Sequence, residues 1–222
     1  MKHGMACWLL LVSLGACTGG EHGAGASPST APAQGAPQSI FNGRDLTGWV
    51  QVLDSKWTVE NGVLLARQDP KGRREGESWL FTEKDYSDFI LTLKFRLTPG
   101  GNSGVFLRDP LPRAERLAAA DGGPKPWEAG LEVQLCADDE DWSTGGLVFV
   151  KKAPKGLERP GEWNELKAKV VGDRAETWIN GQPAAEGTQA KTRRGAIGFQ
   201  RHGTPKFADK VIEIKDVFVQ EL

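Results

Sequence analysis

An all-β sandwich of two antiparallel sheets is the fold class that this sequence predicts, and three observations carry the prediction. Apolar residues recur with period two: Leu91, Leu93, Phe95 and Leu97 alternate with Thr92, Lys94 and Arg96, as in a strand with one face in a core. Two Asn-Gly pairs, Asn61-Gly62 and Asn180-Gly181, sit between strand-like runs. Asn-Gly readily takes positive φ at both central positions of a tight hairpin. The runs are also short, separated by turn residues and without a fixed repeat.

"WTVENGVLLA" (57–66) reads as two strands about a hairpin, and Leu91 to Leu97 as a half-buried strand. "GGNSGVFLRD" (100–109) is a polar turn that opens a strand. A short helix around Arg113 to Ala120 falls inside a long loop. Leu131, Val133 and Leu135 alternate with Glu132, Gln134 and Cys136, and "GLVFVKK" (146–152) is a further strand, which Lys151 and Lys152 end. Leu166, Ala168 and Val170 alternate with charged residues, "AETWINGQPA" (175–184) repeats the hairpin pattern, and Ile197 and Phe199 alternate with Gly198, Gln200 and His202.

The domain occupies only part of the 222 residues. Residues 1–16 have a short basic head, an apolar run and small residues before Cys17. This resembles a bacterial lipoprotein signal peptide, with Cys17 as the lipidated residue. Thr18 in place of an aspartate resembles the pattern of lipoproteins sent to the outer membrane. The expected location is therefore the bacterial cell envelope, at the outer membrane or in the periplasm, with the N-terminal lipid in the membrane. Residues 17–38 are Gly, Ala, Ser, Pro and Thr with almost no apolar bulk. Such a stretch cannot offset its ordering entropy by burial and reads as a tether. Residues 39–222 form one domain.

A net charge of −1, from 28 basic and 29 acidic residues, and the lack of a basic stripe argue against a nucleic-acid partner. Of three cysteines, Cys7 and Cys17 precede the domain. Cys136 stands alone there, which excludes an internal disulfide, and reads as a packed thiol.

Alternation also nominates a site. If Leu131, Val133 and Leu135 face the core, Glu132 and Gln134 face away. The same logic sends Gln200, His202, Phe106 and Arg108 outward. A polar face carrying Glu132, Gln134, Gln200, His202 and Arg108 is a candidate site, with Asn102 and Ser103 at its rim.

Seven segments in order carry a family resemblance: "SIFNGRDLTGW", "WTVENGVLLA", "WLFTEKDYSDFILTLKFRLTPGGNSGVFLR", "GLEVQLC", "PGEWNELKAKVVGDRAETWINGQ", "GAIGFQRHG" and "VIEIKDVFVQEL". Together they resemble the 3-keto-disaccharide hydrolase domain family over essentially the whole chain after the tether. The resemblance implies a concanavalin-like jelly roll that cleaves glycosides already oxidised to a ketone at sugar carbon 3. The implied chemistry is proton abstraction at C2, elimination of the C1 substituent and rehydration.

Glu132 and His202 are the candidate acid/base pair. Alternatively Glu132, Gln134 and His202 hold a divalent cation that polarises the ketone. Asn102, Arg108 and the amides around Ser103 are candidate donors to the enolate oxygen. Trp127 and Trp142, in loops flanking the Glu132 strand, are candidate sugar platforms. The other five tryptophans after the tether fall at strand positions suited to packing. The sequence departs from the family pattern at Arg201, where an aspartate is usual, and at Leu135-Cys136-Ala137, which delays Asp138. With no nucleotide or flavin motif, the ketone must come from a partner, a sugar 3-dehydrogenase. The alternative reading is a non-catalytic, lectin-like carbohydrate-binding module on the envelope; a third is an envelope scaffold. Fold alone separates none of these.

Overall fold

Both Asn-Gly pairs turn the chain back on itself. Asn61 and Gly62 have φ of 52° and 79°, and Asn180 and Gly181 have 51° and 77°, the left-handed pair that a two-residue hairpin needs. The computed structural model describes residues 35–53, 56–67, 78–111, 130–138, 141–188, 192–203 and 205–222. Residues 1–16, Cys17, most of the tether, the expected helix at 113–120 and Trp127 lie outside the described residues.

Among the described residues thirteen strands follow in chain order: β1 (Gln38–Ser39), β2 (Trp49–Leu53), β3 (Lys56–Glu60), β4 (Val63–Arg67), β5 (Ser78–Tyr86), β6 (Phe89–Leu97), β7 (Ser103–Asp109), β8 (Leu131–Leu135), β9 (Asn164–Val171), β10 (Arg174–Ile179), β11 (Gln182–Thr188), β12 (Gly195–Arg201) and β13 (Ile212–Glu221). The helical content among the described residues is a single 3-10 turn, Pro205–Phe207.

The strands form two antiparallel sheets. One runs β11-β10-β9-β6-β13-β4-β3, with β1 added on β13; the other runs β2-β5-β12-β7-β8. The chain passes repeatedly between them, which makes an all-β jelly-roll sandwich. Gln38 pairs with Val219 and Ser39 with Phe218, so the last residue of the expected tether already lies in the sheet.

Alternation places the core. Leu91, Leu93, Phe95 and Leu97 of β6 meet Leu80 of β5, Val105 and Leu107 of β7, Val133 and Leu135 of β8 and Phe199 of β12 in one buried cluster. Each such aliphatic or aromatic side chain stabilises the fold by about 1.5–3 kcal/mol on burial. Trp49 stacks on Phe199 with ring centroids 5.2 Å apart, which ties β2 to β12 across the intervening β5.

One expected strand is absent. Residues 146–152 make a tight turn, with Leu147 bridged to both Val133 and Lys151. Phe149 takes φ of 61° at its tip, so period two breaks where the chain reverses.

Candidate active site

The five-stranded sheet has a second buried face, opposite the sandwich core. Val50, Val52, Trp79, Phe81, Phe106 and Ala196 cluster there. Strand register sets out its rows. One row runs Val50, Phe81, Gly198, Phe106, Glu132. The next pairs Val52 with Trp79, Trp79 with Gln200, and Gly104 with Gln134. Phe199 pairs with Val105, so Gln200 and Gly104 are neighbours. Each row grades from apolar at β2 to polar at β8.

Two glycines shape this face. At Gly198 a Cβ would overlap the Phe81 ring, and at Gly104 it would overlap the Glu132 carboxylate. Glu132 therefore leans out of its own row and lays its carboxyl group over Gly104. In that second row it is flanked by the two amides, Gln200 on β12 and Gln134 on β8. Glu132, Gln134 and Gln200 are all buried, and so is Asn102, whose Oδ1 accepts from Gln134 Nε2 at 3.5 Å. The result is a buried carboxylate over bare backbone, bordered by amides and an aromatic floor.

His202 follows β12 at the polar end. Continuing the register puts it beside Asn102, one row from the Glu132 carboxyl group. Its ring meets Phe207 edge-on at 5.0 Å. Arg201 fixes this corner: fully buried, it donates to the carbonyls of His202 (3.0 Å), Phe207 (2.9 Å) and Ala208 (3.1 Å). Where the family pattern carries an acid, this chain has a clamp on the 205–208 turn.

Two expected site residues are placed elsewhere. Arg108 does not reach the polar face. Its φ of 58° and the shifted register between β12 and β7 mark a bulge that breaks the alternation. The buried guanidinium donates to Ser87 O (2.5 Å), Gly172 O (2.5 Å) and Asp88 Oδ1 (2.6 Å), tying two hairpin ends together. Ser103 has the parity of Val105 and Leu107; it is fully buried and donates its hydroxyl to Gln200 O at 2.5 Å. That contact joins β7 to β12 and leaves the Ser103 side chain off the polar face.

The 141–158 segment borders β8. Backbone bonds Gln134 N to Gly146 O (2.9 Å), Gly145 N to Gln134 O (2.8 Å) and Val148 N to Glu132 O (2.9 Å) continue the sheet past β8. Trp142 is half-buried here and packs edge-on against Phe149, with ring centroids 5.8 Å apart. Glu158 is buried in the same segment and accepts from the Thr144 hydroxyl. Burial pushes its carboxyl pKa up, Thr144 opposes the shift and the nearby Asp138 charge adds to it. Cys136 is buried, as its sequence setting suggests.

The residues around Glu132 are a poor cage for a cation. Glu132 and His202 are the two ionisable ligands of the expected set, and Gln134 is a weak, neutral third. Sequence reasoning missed the role of Gly198, although an isolated glycine within a strand signals close approach. It also missed Glu158, whose partner lies in another part of its loop.

Comparison with known proteins bears on the same fold. A curated protein from Bacteroides thetaiotaomicron named 3-keto-disaccharide hydrolase is 24% identical over 155 residues, which is 60% of this chain. The chain spans about half the length of that relative, 51%. A crystal structure from Parabacteroides distasonis, provisionally designated a glycosyl hydrolase, superposes with a TM-score of 0.65 at 24% identity, covering 84% of this chain and 94% of that one. A Bacillus subtilis protein of unknown function with a galectin-like fold superposes at 0.62 with 16% identity, covering 85% and 97%. Residues 36–220, nearly the whole described fold, match the 3-keto-alpha-glucoside-1,2-lyase-like domain, and the chain belongs to that family.

Proposed function

We propose that this domain cleaves 3-keto-glycosides, including 3-keto-disaccharides, with Glu132 as the base. The observation that carries the reading is the Glu132 carboxyl group held over Gly104 between Gln134 and Gln200. A ketone at carbon 3 acidifies the C2 hydrogen. Glu132 takes that proton, and the C2–H electron pair delocalises onto the ketone oxygen as an enolate. The enolate collapses by breaking the C1–O bond; the electron pair leaves on the departing oxygen, which gains a proton. Water then adds across the new C1=C2 bond, restoring the C2 hydrogen and placing a hydroxyl on C1. The sum is hydrolysis.

The other groups divide the remaining work. Side-chain amides of Asn102, Gln134 and Gln200 supply N–H donors to an enolate oxygen without a net charge of their own. His202 is the acid that protonates the leaving oxygen. Such an elimination needs one base near C2, and not the pair of carboxylates that flanks an ordinary glycosidic bond.

The test uses purified protein with a disaccharide and its 3-keto form, and follows new reducing sugar. Turnover of the keto form alone, with a primary isotope effect from C2-deuterated substrate, supports the reading. Binding of sugar without product leaves a lectin-like module instead. Because this chain holds no motif for oxidising the sugar, a sugar 3-dehydrogenase must act first. We also propose export and anchoring through a lipid on Cys17; Cys17→Ser should move the protein from the membrane to the soluble fraction.

A further inference from the structure

We infer that Phe149 and Trp142 form the subsite for the leaving-group sugar, a specificity element beside the Glu132 base. The inference rests on the hydrolytic reading above and adds a residue that the sequence pattern did not nominate.

Phe149 is 75% exposed, against 41% for Val171 and 38% for Phe218, the other exposed large apolar side chains among the described residues. Its backbone is left-handed, with φ of 61°. A bulky residue rarely adopts that conformation, and strain of this kind persists where surrounding structure imposes it. Val150 N and Lys151 N both donate to Leu147 O, at 2.9 and 2.8 Å, and Leu147 N donates to Lys151 O at 2.8 Å. The turn is thus pinned at its base while its tip presents an aromatic ring to solvent.

Position supplies the occupant. Leu147 lies opposite Val133 and packs in the core, so Val148 shares the outward parity of Glu132. The row Phe106, Glu132 therefore extends to Val148, and Phe149 is the next residue. The Val148 N to Glu132 O bond ties the backbone of this turn to the backbone of the candidate base. Trp142 supports Phe149 edge-on. Lys152 Nζ stands 5.7 Å from the Trp142 ring and 3.2 Å from Asp141 Oδ1, which borders the rings with polar groups. Aromatic rings edged by charge suit a pyranose, whose C–H surface stacks and whose hydroxyls bond at the rim. If the 3-keto ring occupies the Glu132 row, the sugar beyond its C1 oxygen reaches the edge of the sheet.

The experiment compares a 3-keto-disaccharide with methyl 3-keto-glucoside, which lacks the second ring. Phe149→Ala should raise KM for the disaccharide about three- to tenfold, the worth of one aromatic contact, and leave the methyl glycoside within twofold. Phe149→Gly removes the ring and relieves the backbone; it should show the same split with Tm equal to or above wild type. Equal effects on both substrates, or none on either, overturn the subsite while the hydrolytic reading stands. Wild-type protein inert toward both overturns the hydrolytic reading and the subsite with it. A concentration-dependent dimer that Phe149→Ala dissolves would assign the aromatic tip to self-association and overturn the subsite.

Discussion

The outer faces of the two sheets obey the same alternation and reach opposite ends. On the eight-stranded sheet, Arg96 pairs with Glu213 at 2.5 Å, Lys94 with Asp216 at 3.0 Å and Lys169 with Glu176 at 3.9 Å. Lys215 and Arg96 both stand over Trp163, at 4.2 and 4.8 Å. These side chains are long, partly exposed and charge-balanced, and each pair stabilises by at most about 1 kcal/mol. On the five-stranded sheet the corresponding positions hold Trp79, Phe81, Phe106, Glu132, Gln134 and Gln200, all buried. Two strand glycines there give space to a ring and a carboxylate. Glycine inside a strand, next to amides and an acid, separates the proposed site face from the solvated one.

The sharpest way to break the contrast is to remove one acid from each face. Glu132→Gln should lower turnover of a 3-keto-glycoside by about 10²–10⁴-fold, while Glu165→Gln, exposed on the other sheet, stays within twofold. Equal rates for both variants would end the assignment of Glu132. Gly104→Ala comes next: its methyl group displaces the Glu132 carboxyl, and a misplaced base costs about 10²-fold. Added to Glu132→Gln, the same change should cost nothing more, since the two act on one group. Gly198→Ala tests packing; overlap with the Phe81 ring should cost about 1–3 kcal/mol, read as a fall in Tm.

The smallest effect concerns Glu158. Burial raises its pKa in the folded protein above the ordinary 4.5, so between the two values the folded state binds a proton more tightly than the unfolded chain does. The associated stability is full below the unfolded pKa and is lost as pH rises through the folded one. Glu158→Gln should therefore raise Tm modestly at neutral pH, with the gain vanishing in acid. A gain that persists at pH 4 would show that ionisation is not its cause.

Much of the fold follows from local pattern. Alternation and Asn-Gly chemistry are properties of a few adjacent residues, and β6, β8, β9 and both hairpins appear where those patterns place them. Parity alone also assigns Ser103 inward with Val105 and Leu107, although its glycine-rich setting reads as a turn. Arg108 could not be placed this way. Its guanidinium is held by carbonyls at 87 and 172, which lie far away in sequence. The 146–152 turn mimics a strand because its apolar residues serve a bridge to Val133 and an exposed tip. For the site, residue types were readable strand by strand. The lean of Glu132 across a row was not, since it depends on what the neighbouring strand lacks.

The place of β13 has a consequence for how the domain comes into being. Residues 212–221 sit between β6 and β4 and also hold β1. The β6-β9-β10-β11 block and the β3-β4 hairpin can pair without it, but the two blocks and β1 join into one sheet only through β13. Contacts across so much intervening sequence are slow to close, so the two blocks of that sheet stay unjoined until its last described strand arrives. A version stopped before Ile212 would carry two unsatisfied strand edges, a template for aggregation instead of a smaller domain.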